Sequence, residues 1–345
     1  MFCCLHRPPA NQAIKTLLDK FPFGTFRYWV IRICFGFRHS DFEFDVWEDT
    51  RMMIATADAI RIRGLEKTFP GFHLGPLDLN VPKGAIYGLI GANGAGKTTT
   101  IDLIMGMGAK EAGDIHVFGF DHIRDEVEMK KRVGYVSPDL NFNAWGTVRR
   151  LIGFIRAFYA DWDDTYCAEL LDRLKIGWTD KIATLSYGSR TKLALIVALA
   201  HRPALLLLDE PTAGLDAISK RELFTELLDA VQDEERTVLI SSHNLDDLQR
   251  FTDHIGIIDR GKLLVEGSTA ELVERYRMVD CLSPNGQQPK ATEGLVVQRH
   301  DGDRWRLLVD STKHPVEDLE AQGLTDITTT PVTLEELFVG LVKDR

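Results

Sequence analysis

The sequence predicts an α/β fold with a parallel sheet at its centre, and three observations predict it. The stretch Ala85–Thr100, AIYGLIGANGAGKTTT, carries a short apolar run into a glycine-rich loop and then into a helix. Ala204–Leu208 and Val238–Ile240 are unalternating apolar runs, as expected of parallel strands covered on both faces. Helical patterns at Arg190–Ala200 and Lys220–Val231 separate these runs, so strands and helices alternate along the chain.

Residues 1–52 read unlike the rest. They hold Pro8-Pro9, an aromatic and basic patch over Phe21–Phe37, and the pair Phe42/Phe44, with no pattern long enough to build a core. Two readings stay open. The segment lies on a membrane surface, or, as we prefer, translation starts at Met52 or Met53 and the regular domain begins at Ile54. Ala59–Gly84 then predicts two antiparallel strands: AIRIRGLEKTF alternates, Pro70-Gly71 turns, and HLGPLDLNVPKG alternates again. Phe69, at the end of the first strand, either packs the sheet or stacks on a planar base.

Gly91-Ala92-Asn93-Gly94-Ala95-Gly96-Lys97-Thr98 fits the whole pattern GxxxxGK[ST]. In that arrangement backbone N–H groups wrap phosphate oxygens, and the following helix points its positive end at them. Lys97 reaches the β- and γ-phosphates, Thr98 ligates Mg²⁺ through its hydroxyl, and Thr99 follows on the same turn. The stretch is therefore a nucleotide site.

After the helix Thr98–Met107 comes a hairpin in EAGDIHVFGF, then DHIRDEVEMKKR and a strand at Val133–Val136. Residues 139–189 interrupt the α/β alternation. Val148, Leu151, Ile152, Ile155 and Phe158 recur at helical spacing and a second helix covers Tyr166–Leu174, so this is a helical insertion. DHIGIIDRGKLLVEG closes the core as a hairpin. Beyond residue 280 a polar linker, two strands (Leu295–Arg299 and Trp305–Val309), a short acidic helix near 315–321 and a terminal LEELFVGLV helix predict a small α/β appendix, 281–345.

Ligands of open α/β sheets gather at the C-terminal ends of the strands. Asp209 ends one apolar strand and binds Mg²⁺ directly or through water, or else serves as a salt-bridge or capping residue. Glu210 beside it is placed to accept a proton from an attacking water, since metal and base are both needed near a γ-phosphate. His243 ends another strand, where it contacts the γ-phosphate or orients the water. Asp216, in Pro211–Asp216, caps the following helix, meets a second subunit, or does both.

With these parts in order, the chain resembles the ATP-binding subunits of ABC transporters over about residues 54–275. The carrying motifs are the phosphate loop 91–98, a signature region 185–190, the carboxylate strand 205–210, the turn 214–216 and the histidine at 243. The resemblance implies a P-loop NTPase core of ABC ATPase type, 53–280, with an antiparallel β subdomain, a helical insertion at about 139–189 and the C-terminal appendix. It implies ATP and Mg²⁺ as ligands, with Glu210, His243 and Lys97 catalytic, Thr98 and Asp209 on the metal, and Phe69 on adenine. The nucleotide would lie between Gly91–Thr99 of one subunit and Ser186 and Gly188 of a second ABC ATPase subunit, like or unlike. Two departures stand out. The family signature LSGGQ is here Leu185-Ser186-Tyr187-Gly188-Ser189, and Pro138 stands near the usual glutamine after Val133-Gly134-Tyr135, with Asp139 beside it.

The tail from Thr325, and Trp145–Arg150 with Phe158–Asp163, are similar to ATPases of ABC-2 type exporters of the YtrB type, which energise a separate integral membrane permease. Such a chain sits in the cytoplasm at the inner face of the plasma membrane. The sequence has no apolar run of about 18 residues of its own. Five cysteines without metal-ligand spacing suit a reducing compartment. A net charge of -10 argues against nucleic acid as partner. The alternatives are a soluble ABC ATPase acting on ribosomes or nucleic acid, and a regulatory subunit that binds ATP but hydrolyses it weakly.

Overall fold

The computed structural model describes residues 58–234, 236–249, 251–283, 289 and 294–343. The expectations for residues 1–52 and for most of the polar linker fall outside them.

The first two strands form as the alternation requires. β1 (Asp58–Phe69) and β2 (Phe72–Pro82) pair antiparallel, with Ile60 opposite Val81, Ile62 opposite Leu79 and Leu65 opposite Leu77, all fully buried. Gly71 takes the left-handed φ of 81° that the turn between Phe69 and Phe72 needs. β4 (Ala112–Val117) pairs with β1, and β5 (Phe120–Asp121) completes a four-stranded sheet in the order β2-β1-β4-β5.

The central sheet has six strands, β10-β9-β3-β8-β7-β6. β3 (Ile86–Ile90), β6 (Val133–Val136), β7 (Leu205–Leu208), β8 (Thr237–Ser242) and β9 (His254–Asp259) run parallel, and β10 (Lys262–Ser268) is the antiparallel edge. Burial on both faces explains the apolar runs. Leu205 and Leu207 join Tyr87, Leu239 and Ile101 under the antiparallel sheet, whereas Leu206 and Leu208 join Ile240 and the helices on the other side. The helix α1 (Lys97–Ile104) follows the phosphate loop directly, and α2 (Glu126–Lys130) precedes β6.

The insertion packs on the second face. Val148, Leu151, Ile152 and Ile155 are buried from α3 (Val148–Ile155), and α4 (Asp164–Arg173) is capped by Asp163, which accepts from Tyr166 N at 2.9 Å. α3 is shorter than its apolar spacing suggests. Gly146 at φ 73° sets its start, and Phe158 lies in a 3-10 turn after its end. α5 (Tyr187–Leu199) and α6 (Ala217–Glu234) bury Leu193, Leu195, Leu223 and Phe224 in the same core. α7 (Leu245–Leu248) and α8 (Thr269–Arg275) follow β8 and β10.

The appendix holds two strands that the sequence reading did not contain. Its sheet is β12-β13-β11-β14, from β11 (Tyr276–Leu282), β12 (Leu295–Asp301), β13 (Arg304–Asp310) and β14 (Thr325–Pro331). β11 follows α8 with no glycine or proline between them, and the expected division at 280/281 runs through it. β14, TDITTTP, is mostly exposed and has no alternation to betray it. One face of this sheet covers Leu319 and Leu324, the former from α9 (Val316–Ala321), while Tyr276 and Leu308 turn to the main core. The last helix, α10 (Leu334–Lys343), lies on α7.

Candidate nucleotide site

The loop between β3 and α1 depends on its glycines for clearance. A Cβ on Gly91 would meet Ile258 O at 2.4 Å, and one on Gly96, at φ 114°, would meet Leu74 Cδ1 at 2.9 Å. Gly91 N–H donates to Ser242 O at 3.3 Å and Ala95 N–H to Ala92 O at 3.1 Å. Ala92, Asn93 and Gly94 stay exposed at the tip, Thr98 is exposed and Thr99 half-buried.

Lys97 is buried at 5% exposure. Its Nζ donates to Gly91 O at 2.7 Å and Ala92 O at 3.1 Å and pairs with Glu210 Oε1 at 3.0 Å. The other Glu210 oxygen, Oε2, lies 2.8 Å from His243 Nδ1, so ammonium, carboxylate and imidazole form one line from the loop to solvent-exposed His243. Thr98 Oγ1 donates to Asp209 Oδ2 at 2.9 Å. Burial raises the Asp209 carboxyl above the ordinary range, opposed by hydrogen bonds from Ser241 and Thr98.

A hydroxyl and a carboxylate side by side at a helix N-terminus are hard oxygen donors of the kind Mg²⁺ selects, so Thr98 and Asp209 fit that ion. Among the described residues no cluster of three or more His, Cys, Asp or Glu offers a rival metal site.

Phe69 stands at the hairpin tip, 41% exposed, its ring 6.5 Å from that of Phe72. Phe72 in turn reaches to 3.2 Å from the place of a Gly96 Cβ, so the exposed ring flanks the phosphate loop.

The signature segment is held differently. Ser186 caps α5, its Oγ accepting from Ser189 N at 3.1 Å. Gly188 packs on Leu215 and Ser219, and the Tyr187 ring lies 3.4 Å from where a Cβ of Gly214 would be. Asp216 does cap α6, accepting from Ser219 N at 2.8 Å and Ser219 Oγ at 3.0 Å. Within one chain, then, Ser186 and Gly188 bond and pack among α5 and the 214–219 turn, and no hydrogen bond among the described residues joins them to Lys97, Thr98 or Asp209. Tyr187 and Arg190 do share with Asp139, Glu210 and Pro211 a cavity of about 270 Å³.

Two groups escaped the sequence reading. Asp102, one turn along α1, accepts from Tyr135 OH at 3.4 Å, and burial with the nearby Asp209 charge raises its carboxyl to about 6. Ser241 bonds both Asp209 and Glu210. Its position at the end of the VLISS run was the available signal.

A family model described as ABC transporter matches residues 74–213. The ABC transporter ATP-binding protein YtrB of Bacillus subtilis (strain 168) is 35% identical over 218 residues, 63% of this chain and 74% of that one. The chain belongs to the ABC transporter ATP-binding proteins. Within that family the bacitracin transport ATP-binding protein BcrA of Bacillus licheniformis is 33% identical over 234 residues, covering 65% of this chain and 72% of its own. The fold is that of an ABC ATPase domain. The ADP conformation of an ATP-binding cassette of an ABC transporter superposes with a TM-score of 0.53 at 25% identity, over 63% of this chain and 93% of the other. The family binds ATP, and no helix among the described residues is long and apolar enough to cross a membrane.

Proposed function

We propose that the chain is the ATP-hydrolysing subunit of an ABC-2 type exporter, acting at the inner face of the plasma membrane on a separate permease. The observation that supports it most is the hydrogen-bonded line Lys97–Glu210–His243, whose first two members are the sequence neighbours of the bonded pair Thr98–Asp209, an arrangement that suits a phosphate ligand, a base and a metal-binding pair. The names of the relatives agree, YtrB as an ABC transporter ATP-binding protein and BcrA as one for bacitracin transport.

In this reading Gly91–Gly96 wrap the phosphates with backbone N–H groups, and Lys97 exchanges its hold on Glu210 for the β- and γ-phosphates. Mg²⁺, held by Thr98 and Asp209, supplies charge neutralisation for the phosphates. Released from Lys97, Glu210 accepts the proton of the attacking water, and His243 keeps its carboxylate aimed. Phe69 stacks on the base. Ser186 and Gly188 of a second ATPase subunit close over the nucleotide, with Asp216 beside that junction. The ATPase domain ends at about residue 275, before β11 enters the appendix sheet, and the permease docks on the insertion. Leu140, Phe142, Ile155, Phe158 and Tyr159 of the insertion line a cavity of about 80 Å³ together with core residues such as Val133, Lys130 and His201.

Replacing Glu210 with Gln leaves ATP binding unchanged and lowers turnover by about 10²–10⁴-fold. Steady-state phosphate release from purified protein checks this, and near-normal turnover would overturn the role of Glu210. The weakly hydrolysing alternative is favoured by Tyr187 and Pro138. It predicts wild-type release no faster than that of the Glu210→Gln variant even with the permease present.

A further inference from the structure

Ser241 is fully buried at the end of β8, and its one hydroxyl serves two neighbours. Oγ donates to Asp209 Oδ1 at 2.6 Å and accepts from the backbone N–H of Glu210 at 2.9 Å. A hydroxyl has one proton to give, so these two bonds have fixed directions. With Oδ1 occupied, Asp209 turns Oδ2 toward Thr98 Oγ1, the other member of the metal-binding pair.

The bond to Glu210 meets a second need. Glu210 sits at φ 45°, in the left-handed region that side chains with a Cβ avoid. The residue reaches Lys97 and His243 from that conformation. Its N–H finds its acceptor in Ser241, on the strand next to β7. The neighbouring Ser242 does something else, bonding the backbone of Asn244 to close its own turn.

We propose that Ser241 is a positioning residue for the hydrolytic site: one buried hydroxyl sets the carboxylate orientation of Asp209 and the backbone conformation of Glu210 together. The proposal rests on the reading of Asp209 and Glu210 given above. Removing the hydroxyl frees Asp209 Oδ1 and orphans the Glu210 N–H at once, so metal affinity and turnover fall together while the phosphate loop, to which the hydroxyl makes no bond, keeps its grip on ATP.

The test uses the full chain with Ser241→Ala, Ser241→Thr and Ser241→Cys. ATP affinity is measured in EDTA, the Mg²⁺ half-saturation of ATP binding without turnover, and kcat by phosphate release. The expected result for Ala is a Mg²⁺ half-saturation raised about tenfold or more and a kcat lowered by a similar factor, with ATP affinity in EDTA within about twofold of wild type. Thr, which restores the hydroxyl, returns both values toward wild type. Unchanged Mg²⁺ dependence in Ala, an equal loss of affinity in EDTA, or Thr no better than Ala would overturn the proposal. Should Ala fail to fold, Cys keeps the volume with a weak hydrogen bonder and must show the same Mg²⁺ shift. Since that shift is read without turnover, a wild-type chain that binds Mg·ATP but hydrolyses none sinks the hydrolysis reading and not the hold on Asp209.

Discussion

His201 shows how one buried side chain ties stability to pH. It is 3% exposed, stacked on Tyr159 at 4.0 Å between ring centres, with Nε2 3.3 Å from Val133 O. Burial pushes its imidazole down from 6.5 to about 4. The folded chain thus keeps His201 neutral where the unfolded chain protonates it. Its contribution is complete above pH 6.5 and is lost as pH falls from there toward 4, by about 3 kcal/mol in all. Urea unfolding of His201→Leu against wild type at pH 7.5 and pH 4.5 checks this: the variant loses less stability on acidification. At this scale the motifs pointed to Lys97, Thr98, Asp209 and Glu210, and the fold brings them into contact as two pairs, Lys97 with Glu210 and Thr98 with Asp209. The sequence did not disclose Ser241 or Asp102, because a lone serine or aspartate acquires its role from the strand or helix that the fold places beside it.

Elements with one dominant period were legible, and those without were not. β7 and β8 announce themselves as apolar runs, and α3 by its spacing. β11 and β14 do not: the first continues from α8 without a break, and the second buries little side chain. Their sheet matters through α10, whose Leu337 is fully buried in the same core cluster as Leu245 and Leu248 of α7. α7 begins two residues after His243, so the appendix braces the segment that carries the histidine. Truncating Leu337 to Ala lowers unfolding stability by about 3 kcal/mol, measured by urea denaturation. Because α10 lies on α7, that loss appears in the main transition of the core. A separate early transition would mean that the appendix unfolds on its own.

As a whole molecule the chain leaves Ser186 and Gly188 unbonded to its own phosphate loop among the described residues, although Tyr187 and Arg190 share a cavity with Glu210. The phosphate loop presents exposed Ala92, Asn93 and Gly94, while the signature segment packs on its own 214–219 turn, with Tyr187 45% and Ile218 73% exposed there. An exposed tyrosine and isoleucine beside capping groups that do not reach Lys97 form a surface suited to a second subunit. Slowing hydrolysis traps the closed pair if closure needs ATP. Light scattering of the Glu210→Gln chain after gel filtration therefore gives a monomer without nucleotide and a dimer with Mg·ATP. The size of Tyr187 sets a further condition on self-pairing: where the family signature has glycine, this ring would have to fit against the nucleotide of the second subunit. A chain that binds ATP yet stays monomeric would leave two explanations, a different ATPase partner or a need for the permease. Co-purification separates the two: a second ATPase subunit recovered with the chain supplies the facing signature, and a permease recovered with this chain alone supplies the condition for self-pairing.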